Sequence, residues 1–283
     1  MKYAITLSSF GHSNEGLFRT LTRLQEQGYD AVELLGDPIN PNINKVKDTL
    51  DTFDLDVTGI SGKWGARVHD GTKFHTNLIS YNPEFAKSCI EYTEYCLETC
   101  NMFDGKHVNI CLTSDYQPLS MYEMTHGVES HFEKERIIEN KILPVLTFLT
   151  RIAKDNGVQL LLEPLNRYCS QFCNTAAEAG TIAEKINHDS FGILLDTYHM
   201  NIEEASFEGA IEGTKKWFKH THFADSNRKM PGYGHIEFSS IVHALKKIGY
   251  DEFICFEPNL SGDDFREPTK QGLDYIKKME KSN

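Results

Sequence analysis

The sequence has no run of the ~18 apolar residues that a membrane-spanning helix needs. It has no basic run and no interleaving of basic with aromatic residues. With a net charge of −12 over 283 residues, a nucleic-acid backbone is not an expected partner. No Walker-type phosphate loop and no Gly-x-Ser-x-Gly elbow is present. The first turn, Ser8-Ser9-Phe10-Gly11-His12-Ser13, lacks the glycine fingerprint of a dinucleotide site. There is also no Cys-x-x-Cys pair. The seven cysteines (Cys89, Cys96, Cys100, Cys111, Cys169, Cys173 and Cys255) are odd in number and read as reduced thiols. Cys89, Cys96 and Cys100 share a helix face and read as small buried side chains rather than a zinc site. Met1-Lys2-Tyr3-Ala4-Ile5 enters a strand directly, with no signal-like apolar segment. A cytoplasmic protein with neither membrane nor nucleic-acid partner is expected.

What is present is alternation. Apolar residues make up 40% of the chain, enough for a large core. Short apolar strands are expected at 2–10, 29–35, 56–60, 107–112, 158–163, 191–196, 218–224 and 252–257. Amphipathic helices are expected at 16–27, 43–53, 83–102, 132–156, 175–187, 206–217 and 238–248, with a last one ending near 281. Gly28, Gly157 and Gly249 stop three of them, and Pro83 suits a first helical turn. Strict strand–helix alternation without a linker predicts one α/β domain over 1–283, a (β/α)8 TIM barrel. The runner-up, an open doubly wound sheet, usually carries the glycine-rich first turn missing here. The connections after the third and fourth strands are the long ones, through Trp64, Arg67 and His75 and over 113–131. Long loops of that kind sit over the active face of a barrel.

Four consecutive strands end in polar groups. Leu160-Leu161-Leu162 leads into Glu163, Ile193-Leu194-Leu195 into Asp196, His220-Thr221 into His222, and Ile254-Cys255-Phe256 into Glu257. In a parallel barrel these ends converge at one mouth. Three acids in a low-dielectric pocket repel one another, and a divalent cation resolves the conflict. Three carboxylates and an imidazole form an oxygen-rich set suited to Mn²⁺, with Co²⁺ or Mg²⁺ as alternatives. Beside such a cation His199 and Arg228 become candidate substrate clamps. His220 is expected deeper, in a core or supporting role, and Glu33, ending the second strand, faces the same rim, either supporting the ligands or serving structure alone. Trp64 and Phe10 are candidates to stack on a sugar face, and Pro231-Gly232-Tyr233-Gly234 reads as a tight loop over the site.

These residues resemble the ketose 3-epimerases, the D-tagatose and D-psicose 3-epimerases among the xylose-isomerase-like barrels. The matching stretches are Glu163-Pro164-Leu165-Asn166-Arg167-Tyr168, Asn174-Thr175-Ala176-Ala177-Glu178, Asp196-Thr197-Tyr198-His199-Met200-Asn201, His220-Thr221-His222 with Asn227-Arg228, and Phe256-Glu257. The resemblance implies that Glu163, Asp196, His222 and Glu257 hold the metal and that Glu163 and Glu257 double as opposed acid/bases. It implies that His199 and Arg228 bind the O1–O3 end of the sugar. One position departs: where the family carries a second Glu, six residues past the first, this chain has Cys169. A thiol does not supply the acceptor pair of a carboxylate, so Cys169 becomes a candidate determinant of substrate choice. The 113–131 loop also departs from the family pattern.

The expected reaction is inversion of a ketose, free or closely derivatised, at C3 through a cis-enediolate. One Glu removes the C3 proton and the other returns one to the opposite face. The same site with one base would give an aldose–ketose isomerase. A sugar-phosphate epimerase and a 3-keto-sugar lyase are further alternatives. A metal-dependent nuclease of the endonuclease IV type calls for more strand-end histidines and less negative charge, and a non-catalytic sugar binder has no use for paired acids. The expected partner is a small-molecule sugar, and a homo-oligomer, dimer or tetramer, is expected.

Overall fold

The structure is a computed structural model describing residues 1–10, 16–36, 42–69, 72–80, 82–113, 131–260 and 266–282. Eight parallel strands close into a barrel: β1 (Lys2–Thr6), β2 (Ala31–Leu35), β3 (Asp56–Ser61), β6 (His107–Cys111), β7 (Gln159–Glu163), β8 (Phe191–Asp196), β9 (Phe218–Phe223) and β10 (Phe253–Phe256). They follow one another around the barrel in that order, and β10 pairs back on β1. Strands buried on both faces read as unbroken apolar runs; Leu160, Leu161 and Leu162 of β7 and Ile193 and Leu194 of β8 have no exposed surface. The (β/α)8 architecture expected from the alternation is the one observed.

Helices wrap the barrel where the apolar spacing places them. The helix Pro83–Met102 starts at Asn82, whose side chain accepts from the Glu84 N–H, and it turns Cys89, Cys96 and Cys100 inward. Burial pushes all three thiols up to about 12, which fits packing groups. The helix Leu17–Gln27 ends at Gly28, whose φ of 84° closes the turn at no steric cost.

Four local expectations need correction. The first strand stops at Thr6, and Leu7–Phe10 form a 3₁₀ turn. The long connection after β3 folds into an antiparallel hairpin, β4 (Gly65–His69) with β5 (Thr72–Thr76). Two short runs around Asp70-Gly71 carry that signal in the sequence. The helix expected over 132–156 is interrupted: His131–Ile137, a π segment Ile138–Ile142, then Leu143–Asp155. Pro144 offers no N–H to the turn before it, and a widened turn absorbs the loss. Between Asp196 and the helix Phe207–Gly213, where a simple turn is expected, a short helix Thr197–Glu203 forms, capped by Asp196. Gly11, His12 and Ser13 of the first turn, and most of the 113–131 loop, lie outside the described residues.

Candidate metal centre

The ends of β7 to β10 bring the four expected residues together. One donor atom each from Glu163, Asp196, His222 and Glu257 lies within 4.8 Å of the others. Neighbouring strands set this register: Asp196 pairs with His222, and Cys255 lies beside His222 on the other side. Glu257 follows the last residue of β10, and its N–H bonds Phe223 O at 3.0 Å. His222 Nδ1 sits 3.2 Å from Glu257 Oε2 and 4.0 Å from Glu163 Oε1. That nitrogen is buried and has no partner in hydrogen-bonding direction. An orphaned imidazole nitrogen aimed into three carboxylates is the arrangement a divalent cation satisfies, so the donor set fits one.

The electrostatics agree. Burial pushes the Glu163 carboxyl up, helped by Glu257 and Asp196 and opposed by His222. Burial would do the same to Glu257, but Arg228 and His222 outweigh it and hold Glu257 below the usual carboxylate range. Burial alone would lower His222, and the surrounding Glu33 and Glu257 raise it instead.

Arg228 forks onto the site, donating from one terminal nitrogen to Asp196 Oδ2 and from the other to Glu257 Oε2. Its backbone is left-handed, with φ 58°. The loop carrying it is knotted by Asp225, which is fully buried and accepts from the N–H groups of Ser226, Gly232 and Ile236 at 2.7, 2.9 and 3.1 Å. A Cβ on Gly234 would lie 2.2 Å from Asp225 Oδ1, so only glycine fits there. The tight loop expected at 231–234 is therefore the frame of Arg228. Tyr198 backs the guanidinium, with its ring centroid 5.0 Å from Cζ.

His199 is buried and its pKa is lowered, burial being the main cause. Its Nδ1 accepts from the Asn166 backbone N–H at 3.1 Å. Since that donor is obligatory, the neutral ring carries its proton on Nε2. Arg167 lies nearby, but its N–H groups are engaged by Glu203. Cys169 sits in the loop after β7, exposed, with its N–H on Asn166 O at 2.9 Å.

Two residues acquire roles that local sequence reading gave to neither. Asn109, on β6, donates to Glu163 Oε2 at 2.6 Å, while its Oδ1 accepts from Gly62 N at 2.6 Å and Trp64 Nε1 at 3.3 Å. Trp64 is thus 8% exposed and packs edge-on to Tyr92; its link to the site runs through Asn109 to Glu163. The available signal was the polar set His107, Asn109 and Cys111 at every second position of an apolar strand. Cys111 also donates, from Sγ to Glu163 Oε2 at 3.5 Å. Phe10 is 8% exposed and belongs to the core cluster.

Residues 21–279 match the model of the xylose isomerase-like TIM barrel family. A ketose 3-epimerase from Arthrobacter globiformis is 39% identical over 249 residues, 87% of this chain and 79% of its own length. A 3-dehydro-D-guloside 4-epimerase from Escherichia coli is 24% identical over 263 residues, 93% of this chain and 95% of its own. Among solved structures, D-psicose 3-epimerase from Clostridium cellulolyticum superposes with a TM-score of 0.79 at 23% identity, covering 99% of both chains. At that identity the likeness is one of fold.

Proposed function

The chain belongs to the xylose isomerase-like TIM barrel family, and from that premise we propose that it is a divalent-metal-dependent sugar epimerase that inverts a ketose at C3. One observation carries the reading. Glu163 at the end of β7 and Glu257 just past β10 flank one imidazole whose inward nitrogen has no hydrogen-bond partner, His222 Nδ1 lying 4.0 Å from Glu163 Oε1 and 3.2 Å from Glu257 Oε2. Two carboxyls on either side of one cation position supply one acid and one base.

A cation held by Glu163, Asp196, His222 and Glu257, Mn²⁺ best suited and Co²⁺ or Mg²⁺ acceptable, supplies Lewis-acid polarisation of the ketose oxygens. The chain does the rest. Ionised Glu257 takes the C3 proton, and the C–H electron pair moves toward the C2 carbonyl to give a cis-enediolate. Protonated Glu163 delivers its proton to the opposite face of C3, and the enediolate collapses to the inverted ketose. Exchange with solvent resets both carboxyls. His199 donates from Nε2–H to a sugar oxygen, because Asn166 occupies its Nδ1. Arg228 holds Glu257 in place and offers positive charge to the oxygens where negative charge grows.

A second reading keeps the same chemistry one carbon along: inversion at C4 of a 3-keto glycoside. It is favoured by the end-to-end likeness to the E. coli 4-epimerase and by Cys169, which leaves the sugar's C1 end one carboxylate short. Incubation of Mn²⁺-loaded protein in D₂O with a panel of free ketoses and 3-keto glycosides tests both. Deuterium at C3 with inversion is expected. Deuterium at C4 of the glycosides alone selects the second reading. Deuterium at C1 or C2 with a new aldehyde overturns both in favour of an isomerase.

A further inference from the structure

Beneath the four acidic-site residues the barrel lumen is polar where such lumens are usually filled with branched aliphatic side chains. Glu33 on β2 has no exposed surface, and neither has His222. Glu33 Oε1 accepts from His222 Nε2 at 2.9 Å, and Oε2 faces His107 Nε2 at 3.0 Å and His220 Nε2 at 3.3 Å. The carboxylate therefore reaches across the lumen to two strands that are not its neighbours, β6 and β9.

The backbone is built for this reach. The β2–β3 register slips opposite Glu33, between Val32 and Leu34, and the β8–β9 register slips just before His220. Slips of this kind re-aim side chains. On the slipped part of β3, a Cβ on Gly59 would lie 2.3 Å from His107 O and 2.7 Å from its ring, so glycine makes room for that imidazole. A carboxylate with imidazoles around it, walled by two irregularities and a required glycine, is a dedicated arrangement and not an accident of packing.

We infer that Glu33 is the positioning residue of the metal centre. By accepting the Nε2–H of His222 it fixes the ring's rotation and reserves Nδ1, the orphaned atom, for the cation. An imidazole whose far N–H is held by a carboxylate is also a more basic ligand. The inference rests on the proposed reading that Glu163, Asp196, His222 and Glu257 hold a divalent cation. Donor atoms of Glu33, His220, His222 and Cys255 also fall within 4.8 Å of one another. In that set Glu33 already accepts the Nε2–H of His222, so that nitrogen carries a proton and is not free to ligate, while His220 Nε2 lies 3.3 Å from Glu33 without a hydrogen-bond partner.

The test uses the full chain. Glu33→Gln leaves a neutral and weaker acceptor. Mn²⁺ affinity, read by calorimetry, is expected to fall about 10–100-fold, with one ion per wild-type chain. In Mg²⁺-loaded, ¹⁵N-histidine-labelled protein the His222 Nε2–H resonance is expected downfield and slowly exchanging. It should move upfield and exchange faster in the variant. Glu33→Asp keeps the charge but withdraws it by one methylene. It should shift both readouts the same way and serves if the Gln protein fails to fold. His107→Gln, which perturbs the cluster but leaves the Glu33–His222 bond, should keep the resonance and Mn²⁺ affinity within about threefold, well short of the loss expected for Glu33. Unchanged affinity, a fall in affinity with the resonance unmoved, an equal loss in His107→Gln, or two ions per chain would each overturn the assignment. Failure of the wild-type chain to bind Mn²⁺ would instead overturn the metal reading beneath it.

Discussion

Glu257 is clamped by a guanidinium and an imidazole, and both favour its ionised form. Gln at this position keeps an oxygen that can coordinate but cannot accept a proton. Glu257→Gln is expected to bind Mn²⁺ within about tenfold of wild type. Loss of general-base action of this kind lowers kcat by about 10²–10⁴-fold. Paired calorimetry and steady-state kinetics read the two quantities separately. Normal metal binding with wild-type kcat would leave Glu257 a ligand only and remove the two-base scheme. The convergence of Glu163, Asp196, His222 and Glu257 was legible because each ends an apolar strand with a polar group, a pattern local to each strand. Asn109 was not singled out, because nothing in His107-Val108-Asn109-Ile110-Cys111 says which partner the amide finds across the barrel.

At the scale of elements, the helix Ala176–Ile186 shows how the scaffold is secured near the site. Thr175 accepts from the Glu178 N–H, and Glu178 Oε2 accepts from the N–H groups of Asn174 and Thr175 at 2.6 and 3.2 Å. Lys134 joins this cap to the helix His131–Ile137 through a 2.8 Å contact with Glu178 Oε1. Partial burial raises the Glu178 pKa, but Lys134 and the Asn174 N–H overcome it, so the net shift is downward. A carboxyl with a depressed folded pKa stabilises fully above its unfolded value, about 4.3. That contribution disappears as pH falls through the folded value. Glu178→Gln is therefore expected to cost about 0.5–1 kcal/mol near neutral pH, an amount typical of a half-exposed ion pair and cap. The gap to wild type should narrow as pH falls below the unfolded value and close once pH has passed through the depressed folded one. Urea midpoints of both proteins across that range measure it, and a gap that stays constant with pH would show that the charge of Glu178 carries none of it. This cap was readable in Thr175-Ala176-Ala177-Glu178 because all its partners lie within a few residues. The π segment before Pro144 and the hairpin at 65–76 were not read, since each depends on how a local irregularity is absorbed by packing.

For the whole molecule, the barrel followed from alternation alone, because parallel strands buried on both faces leave apolar runs that helices separate. Its polar lumen did not, since Glu33, His107, Asn109 and His220 meet only after the barrel closes. That closure places the acids Glu163, Asp196 and Glu257 around one imidazole, with Arg228 at the edge. Concentrating like charge in a low dielectric costs stability, and the proposed cation, bound only by the folded chain, would return it by mass action. At a hundredfold excess over Kd the gain is about 2.7 kcal/mol. For a chain somewhat larger than those that shift by about 2–4 °C per kcal/mol, this corresponds to a Tm rise on the order of 5 °C. Stripping the protein with EDTA is expected to lower Tm by that amount and to abolish turnover, and Mn²⁺ or Co²⁺ should restore both. Scanning calorimetry and an activity assay on one preparation, with metal content fixed by elemental analysis, check the pair. Full turnover in protein shown to be free of metal would mean that the four strand-end residues perform the chemistry unaided. The Lewis-acid role given to their bound ion would then be wrong.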